Sequence, residues 1–149
     1  RLGDRIALLN KGKLIQAGTA EELYLKPVDL FVAGFFSELN VFDARIASGA
    51  AHTPVGRFAA PGRADGEPVT VAVRLSGFDI SEKSGDVEAR IVSRRFLGVV
   101  ELLELAVPGT DEHVRARVRA GRLPPGVRDV WLKVRPADVL VFERRRESA

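Results

Sequence analysis

"DVEARIVSRRFLG" followed directly by "VVELLELAV", residues 86–98 and 99–107, decides how the rest of the chain is read. Both stretches favour residues of extended propensity or alternate apolar and polar side chains at period two, the pattern of a half-buried strand. The same signature runs outward in both directions. "VFDARIAS" (41–48), "PVTVAVRL" (68–75), "EHVRARVRA" (112–120) and "VRDVWLKVR" (127–135) repeat it, and "PGRADGEP", "VPGTDE" and "GRLPPG" punctuate it with turn residues. From about Glu38 onward the sequence therefore predicts an all-β domain of short strands. No long helical stretch lies between the strands, so a small barrel or a sandwich fits better than an α/β sheet.

The β region also echoes itself. "FDARIAS" (42–48) resembles "VEARIVS" (87–93), and "AVRLSGFDIS" (72–81) resembles "KVRPADVLVF" (133–142), so two related units are expected at about 38–82 and 86–142. Ahead of them, "RIALLN" and "KLIQAG" flank Lys11–Gly12 and predict a hairpin in which Gly12 takes a positive φ. Thr19 precedes "AEELYL" with Glu22 three residues on, the spacing of a capping box, and Pro27 stops that helix. Asp29 is placed to cap a second short helix, "LFVAGFF", whose Leu30, Phe31, Gly34 and Phe35 are expected to face a core. The closing "ERRRESA" reads as a solvated tail over 144–149.

Composition excludes several classes. Apolar residues make up 46% of the 149 and charged residues 29%, close to ordinary soluble domains. The longest apolar runs, "FVAGFF" and "FLGVV", fall far short of the roughly 20 residues a spanning helix needs. There is no cysteine, so thiolate nucleophiles, disulfides and thiolate metal sites are all absent. The chain opens "RLGDR" and contains no Met, which reads as a piece of a longer protein. No phosphate-binding loop, dinucleotide fingerprint, H-E-x-x-H or G-x-S-x-G is present. His52 and His113 stand in polar contexts without a second ligand at metal spacing, and Glu21/Glu22 and Asp111/Glu112 belong to a helix start and a turn. No catalytic, cofactor or metal residue is expected.

Charge is uneven. Residues 83–149 carry 14 basic and 10 acidic side chains, whereas residues 1–82 carry 9 and 10. "HVRARVRA" sets His113, Arg115, Arg117 and Arg119 on one strand face and Val114, Ala116 and Val118 on the other. A solvated outer face explains this pattern, and a groove for nucleic acid or another polyanion is the alternative. No aromatic residue in the strand offers a base a stacking platform, so no nucleic-acid partner is expected.

Residues 1–42, through "GDRIALLNKGKLIQAGTAEELYLKPVDLFVAGFFSELNVF", resemble the closing segment of the ATP-binding subunit of an ABC importer. The remainder of the chain, with Val73/Arg74, "VRPAD" (134–138) and "RRFLGVVELLELAVPG", is similar to the TOBE-type domain that the family appends to its ATPase core. Where the family tends to show Arg-Pro-Glu, this chain keeps Arg135 and Pro136 but has Ala137, and the first copy reads "RLSG". The resemblance implies a mainly β fold of OB-like, TOBE/MOP-type units over 37–143, preceded over 1–36 by the hairpin and one or two short helices that end a nucleotide-binding domain. It implies a regulatory and dimerisation role, most like the ferric-iron importer branch. ATP and Mg would serve the parent subunit and not this segment, whose partners would be a second copy and, through the ATPase domain, membrane-spanning subunits. The expected location is cytoplasmic, peripheral on the inner face of the plasma membrane. Phe31, Phe35, Phe36, Phe96, Leu97 and Gly98 are the candidate contact residues. The alternative within the same fold is an oxyanion- or small-ligand-sensing domain.

Overall fold

The computed structural model describes residues 4–144, which divide into two compact units, one ending at Leu39 and one starting at Asn40. In the first, β1 (Arg5–Asn10) and β2 (Lys13–Thr19) pair antiparallel through a two-residue turn. Lys11 and Gly12 both take positive φ, 51° and 78°, as a type I′ turn demands. Helix α1 (Ala20–Leu25) starts on the expected capping box: the Glu22 backbone N–H donates to Thr19 Oγ1 at 3.1 Å, and the Thr19 N–H donates to Glu22 Oε1 at 3.0 Å. Gln16 secures the bend at Pro27 by donating to the Lys26 carbonyl and accepting from the Val28 N–H, each at 3.0 Å.

Helix α2 (Leu30–Phe36) is capped by Asp29, which accepts from the Val32 N–H at 3.0 Å. Its buried face is not the expected one. Val32 and Ala33 are buried while Phe31, Gly34 and Phe35 are exposed, because the small core they meet, Leu8 and Leu23 with Ile6, Ile15 and Phe36 at its margin, accepts a valine and leaves the larger rings outside.

The second unit holds ten strands in two five-stranded sheets. A first run gives β3 (Leu39–Ala47), β4 (Ala50–Thr53), β5 (Gly56–Ala59), β6 (Pro68–Arg74) and, after a 3-10 turn at Leu75–Gly77, β7 (Phe78–Ser81). A second run gives β8 (Val87–Phe96), β9 (Val100–Ala106), β10 (Val114–Arg119), β11 (Asp129–Val134) and, after a 3-10 turn at Pro136–Asp138, β12 (Val139–Glu143). The sheet orders are β12-β6-β3-β4-β5 and β7-β11-β8-β9-β10. Exchanging the two runs strand for strand turns one order into the other. Each run thus supplies four strands to its own sheet and sends its last strand to the other: Val141 pairs with Val71, and Leu132 with Ile80.

Alternation along these strands builds one core. Ile46, Val71, Val73, Leu103, Leu105, Val114, Ala116 and Leu132 are among its buried members, drawn from both runs. The two 3-10 turns lie against each other where the strands exchange. Arg74, 3% exposed, donates to the Ala137 carbonyl at 3.1 Å and lies 3.6 Å from Asp138. Arg135, its counterpart, donates to the Ser76 carbonyl and pairs with Asp79. A Cβ on Gly77 would come within 2.5 Å of Asp138 Cβ, so only glycine permits this approach.

Strands β4 and β5 are absent from the pattern reading, because four residues each around Pro54 and Val55 are too few to declare a period. Arg144 is not part of a solvated tail. Its guanidinium donates to the Ala44 carbonyl at 2.7 Å and lies 3.6 Å from Asp43, tying the end of β12 to β3. Residues 145–149 of the expected tail lie outside the described residues.

Two carboxyls are held below the ordinary range, Glu22 by the Thr19 backbone N–H and then its hydroxyl, and Glu67 by the Arg63 guanidinium and then the Ala64 N–H. A depressed folded pKa means stability that is present above the unfolded value and lost as pH falls through the folded one. We expect α1 to loosen only in acid, below the usual carboxylate range, and Thr19→Ala to cost roughly 1 kcal/mol at neutral pH. Amide exchange of α1, measured against pH in both forms, checks this; protection that is unchanged by the substitution contradicts it.

Candidate interaction surfaces

The β8–β9 hairpin begins in the core and ends in water. Ala89 and Ile91 are buried, but the register shifts between Ile91 and Ser93, leaving Val92 exposed and rotating the residues beyond it. Such a bulge sharpens local twist and re-aims the strand. Arg94 then anchors the hairpin arm. Its guanidinium makes paired bonds to Glu101 at 3.0 and 2.8 Å and donates to the carbonyls of Pro124 at 2.7 Å and Leu123 at 3.0 Å. Beyond that anchor the Leu97 N–H donates to the Val100 carbonyl at 2.9 Å, and Gly98 turns the chain at φ 94°. The outcome is a supported tip carrying Phe96 at 70% exposure, Leu97 at 49% and Val99 at 79%.

Of the candidate contact residues, Phe96, Leu97 and Gly98 come together at this tip, with Val99 as its most exposed member. Phe31 and Phe35 lie on the outer face of α2 in the other unit, whereas Phe36 is half-buried, its ring edge-on to Phe35 with centroids 5.1 Å apart. The arginine stripe of β10 lies as alternation requires, with Val114, Ala116 and Val118 buried beneath it. His52 and His113 are both exposed, the latter 3.5 Å from Glu104.

No group of three or more His, Cys, Asp or Glu among the described residues is placed to hold a metal ion, and the sequence has no phosphate-binding loop. An open groove of about 500 Å³ is lined by Glu82, Glu88, Arg90, Asp129 and Trp131 above Val107. Its charges are mixed, Arg90 lying 3.9 Å from Asp129, and they do not converge on one reacting point. A smaller recess of about 180 Å³ is lined by Arg117, Arg119, Arg122 and Arg135 with Asp79, over Phe78, Ile80 and Val118. No helix of the described chain is long and apolar enough to cross a membrane.

Comparison with known proteins gives these surfaces a setting. The Fe(3+) ions import ATP-binding protein FbpC of Streptomyces avermitilis is 28% identical over 141 residues, 95% of this chain and 41% of that protein. FbpC of Serratia marcescens is 33% identical over 125 residues, 81% of this chain and 36% of that one. The chain is a relative of the ATP-binding subunits of ABC importers. It spans about two fifths of their length, and the expected match to the closing part of such a subunit stands. A solved structure of the cytoplasmic molybdate-binding protein ModG superimposes with a TM-score of 0.55 at 15% identity, covering 70% of this chain and 96% of that one. At that identity the match speaks to fold alone, and it agrees with the mainly β, OB-like architecture expected. No protein-family model matches the chain.

Sequence reasoning found the apolar tip because "FLGVV" is a contiguous run that a short strand cannot bury on one face. It missed the recess. Arg119 ends β10 and Arg135 follows β11, strands that are not neighbours in the sheet, and nothing in their spacing along the chain announces that the sheet curls them together.

Proposed function

We propose that this chain is the regulatory and dimerisation module of an ABC importer ATP-binding subunit of the ferric-iron type, acting by protein contact and not by catalysis. The observation that carries the reading is the β8–β9 tip: three large apolar side chains exposed together on an arm braced by Arg94. Isolated apolar residues on a surface are ordinary, but a clustered patch on a supported element marks a contact site. The occupant we assign is a second copy of this chain. ATP and Mg belong to the parent subunit in this reading, as do contacts with membrane-spanning subunits and a peripheral position on the inner membrane face. The iron assignment follows the names of the relatives.

Sedimentation velocity tests the proposal. The 149-residue chain is expected to self-associate to a dimer as concentration rises, and Phe96→Asp combined with Val99→Asp to abolish this with an unchanged circular dichroism spectrum. A strict monomer at high concentration, or a dimer indifferent to both substitutions, contradicts it.

A further inference from the structure

We propose that the recess between β7 and β10 is a binding site for a small multivalent anion bearing two or more carboxylate or phosphate groups. The strands β7 and β10 are the two edges of one five-stranded sheet, and the sheet's curl brings them alongside each other without ladder pairing between them. Part of that seam is already closed. Asn40 of β3 accepts from the Arg115 N–H at 2.9 Å and donates to the Arg115 carbonyl at 2.8 Å, occupying the outer edge of β10 at that residue. Two residues further on the seam widens into the recess.

Its walls carry four guanidinium groups and one carboxylate. Asp79 is engaged by Arg135 at 2.5 Å, and Arg117 also has a partner within the fold. Arg119 and Arg122 make no side-chain hydrogen bond or ion pair with a described residue, and the Arg122 N–H donates to the Arg119 carbonyl at 3.1 Å, which holds the two residues in one tight turn. Two guanidinium forks held by one turn, beside a third and fourth, match planar or tetrahedral oxyanion groups better than a point cation would. Phe78, Ile80 and Val118 line the rest of the recess with apolar side chains, so its polar contacts come from the arginines, Asp79 and Ser76.

The size argues for more than one anionic group. About 180 Å³ leaves room for several waters, and four arginines from β10, its following turn and the start of the second 3-10 turn surround it. The equivalent place in the other repeat is not such a site, because Arg74, the counterpart of Arg135, is buried against Asp138 and the Ala137 carbonyl. The recess is thus a property of these side chains and not of the fold. It stands independently of the dimer reading, since it lies on β7 and β10 and the tip on β8 and β9.

Thermal shift and titration calorimetry at constant ionic strength test it on the 149-residue chain. Citrate and pyrophosphate are the probes for the two chemical sources, with sulfate and acetate as smaller anions. At least one probe is expected to stabilise saturably at concentrations where sulfate and acetate act weakly, and whichever saturates first assigns carboxylate or phosphate. Arg119→Gln and Arg122→Gln are each expected to weaken it by roughly tenfold, the loss of a charge-assisted hydrogen bond. Arg57→Gln, an exposed site on β5, leaves binding unchanged. The site is overturned if neither probe outperforms acetate, if neither recess variant matters, or if Arg57→Gln costs as much as they do, which marks diffuse electrostatics.

Discussion

Arg74→Met is expected to lower the stability of the β unit by about 2 kcal/mol, the cost of losing hydrogen bonds made by a buried charged group. Arg74 is 3% exposed, and its loss takes one of two guanidinium neighbours from Asp138, which keeps Arg135 at 3.4 Å, and removes the donor to the Ala137 carbonyl beside the point where the repeats exchange strands. Arg135→Met is the internal control. Arg135 occupies the matching position in the second repeat but is 45% exposed, so its pairs with Asp79 and Asp138 are screened and the loss should stay within about 1 kcal/mol. Urea unfolding of the two variants measures the contrast. Equal losses, or a negligible loss at Arg74, would mean that the turn-to-turn contact is not what joins the repeats.

The larger effect is expected from dividing the chain. Residues 38–82 and 86–142, produced separately, should each remain unfolded, and an equimolar mixture should recover the β signal. The reason is the exchange of β7 and β12. Without β12, β6 becomes an unpaired edge, and without β7 so does β11. Each half also loses the core neighbours that the other contributes, Val139 and Val141 in one direction and Phe78 and Ile80 in the other. A single core in a segment this short rarely supplies more than about 3–5 kcal/mol even when complete. Circular dichroism of the halves, alone and mixed, checks the expectation; a half that folds alone contradicts it.

Much of this architecture could be read from local chemistry. The capping box at Thr19 and Glu22, the Asp29 cap and the Lys11–Gly12 turn are short-range devices whose partners lie within three residues, so sequence spacing identifies them. Period two likewise gave the faces of β10, where burial of Val114, Ala116 and Val118 requires Arg115, Arg117 and Arg119 to point outward. The echo between "AVRLSGFDIS" and "KVRPADVLVF" marks β6–β7 and β11–β12 as counterparts, but it cannot say with which sheet β7 or β12 pairs, since that depends on contacts between residues far apart in the chain. The face of α2 was misread for a related reason. A two-turn helix satisfies several apolar phases, and the choice of Val32 over Phe31 is made by the volume left beside Leu8 and Leu23. The tip at Phe96–Val99 was legible as a run, while its bracing by Arg94 against Pro124 and Leu123 was not.

The exchange of terminal strands is the central physical claim, because it makes the two repeats one body from which the apolar tip and the arginine recess are presented. Nuclear Overhauser contacts across β12 test it most directly. Contacts between Val141 and Val71, together with contacts between Leu132 and Ile80, are the expected result. Contacts of β12 with β11, or of β7 with β6, in place of these would mean that each repeat closes on itself and would contradict the account.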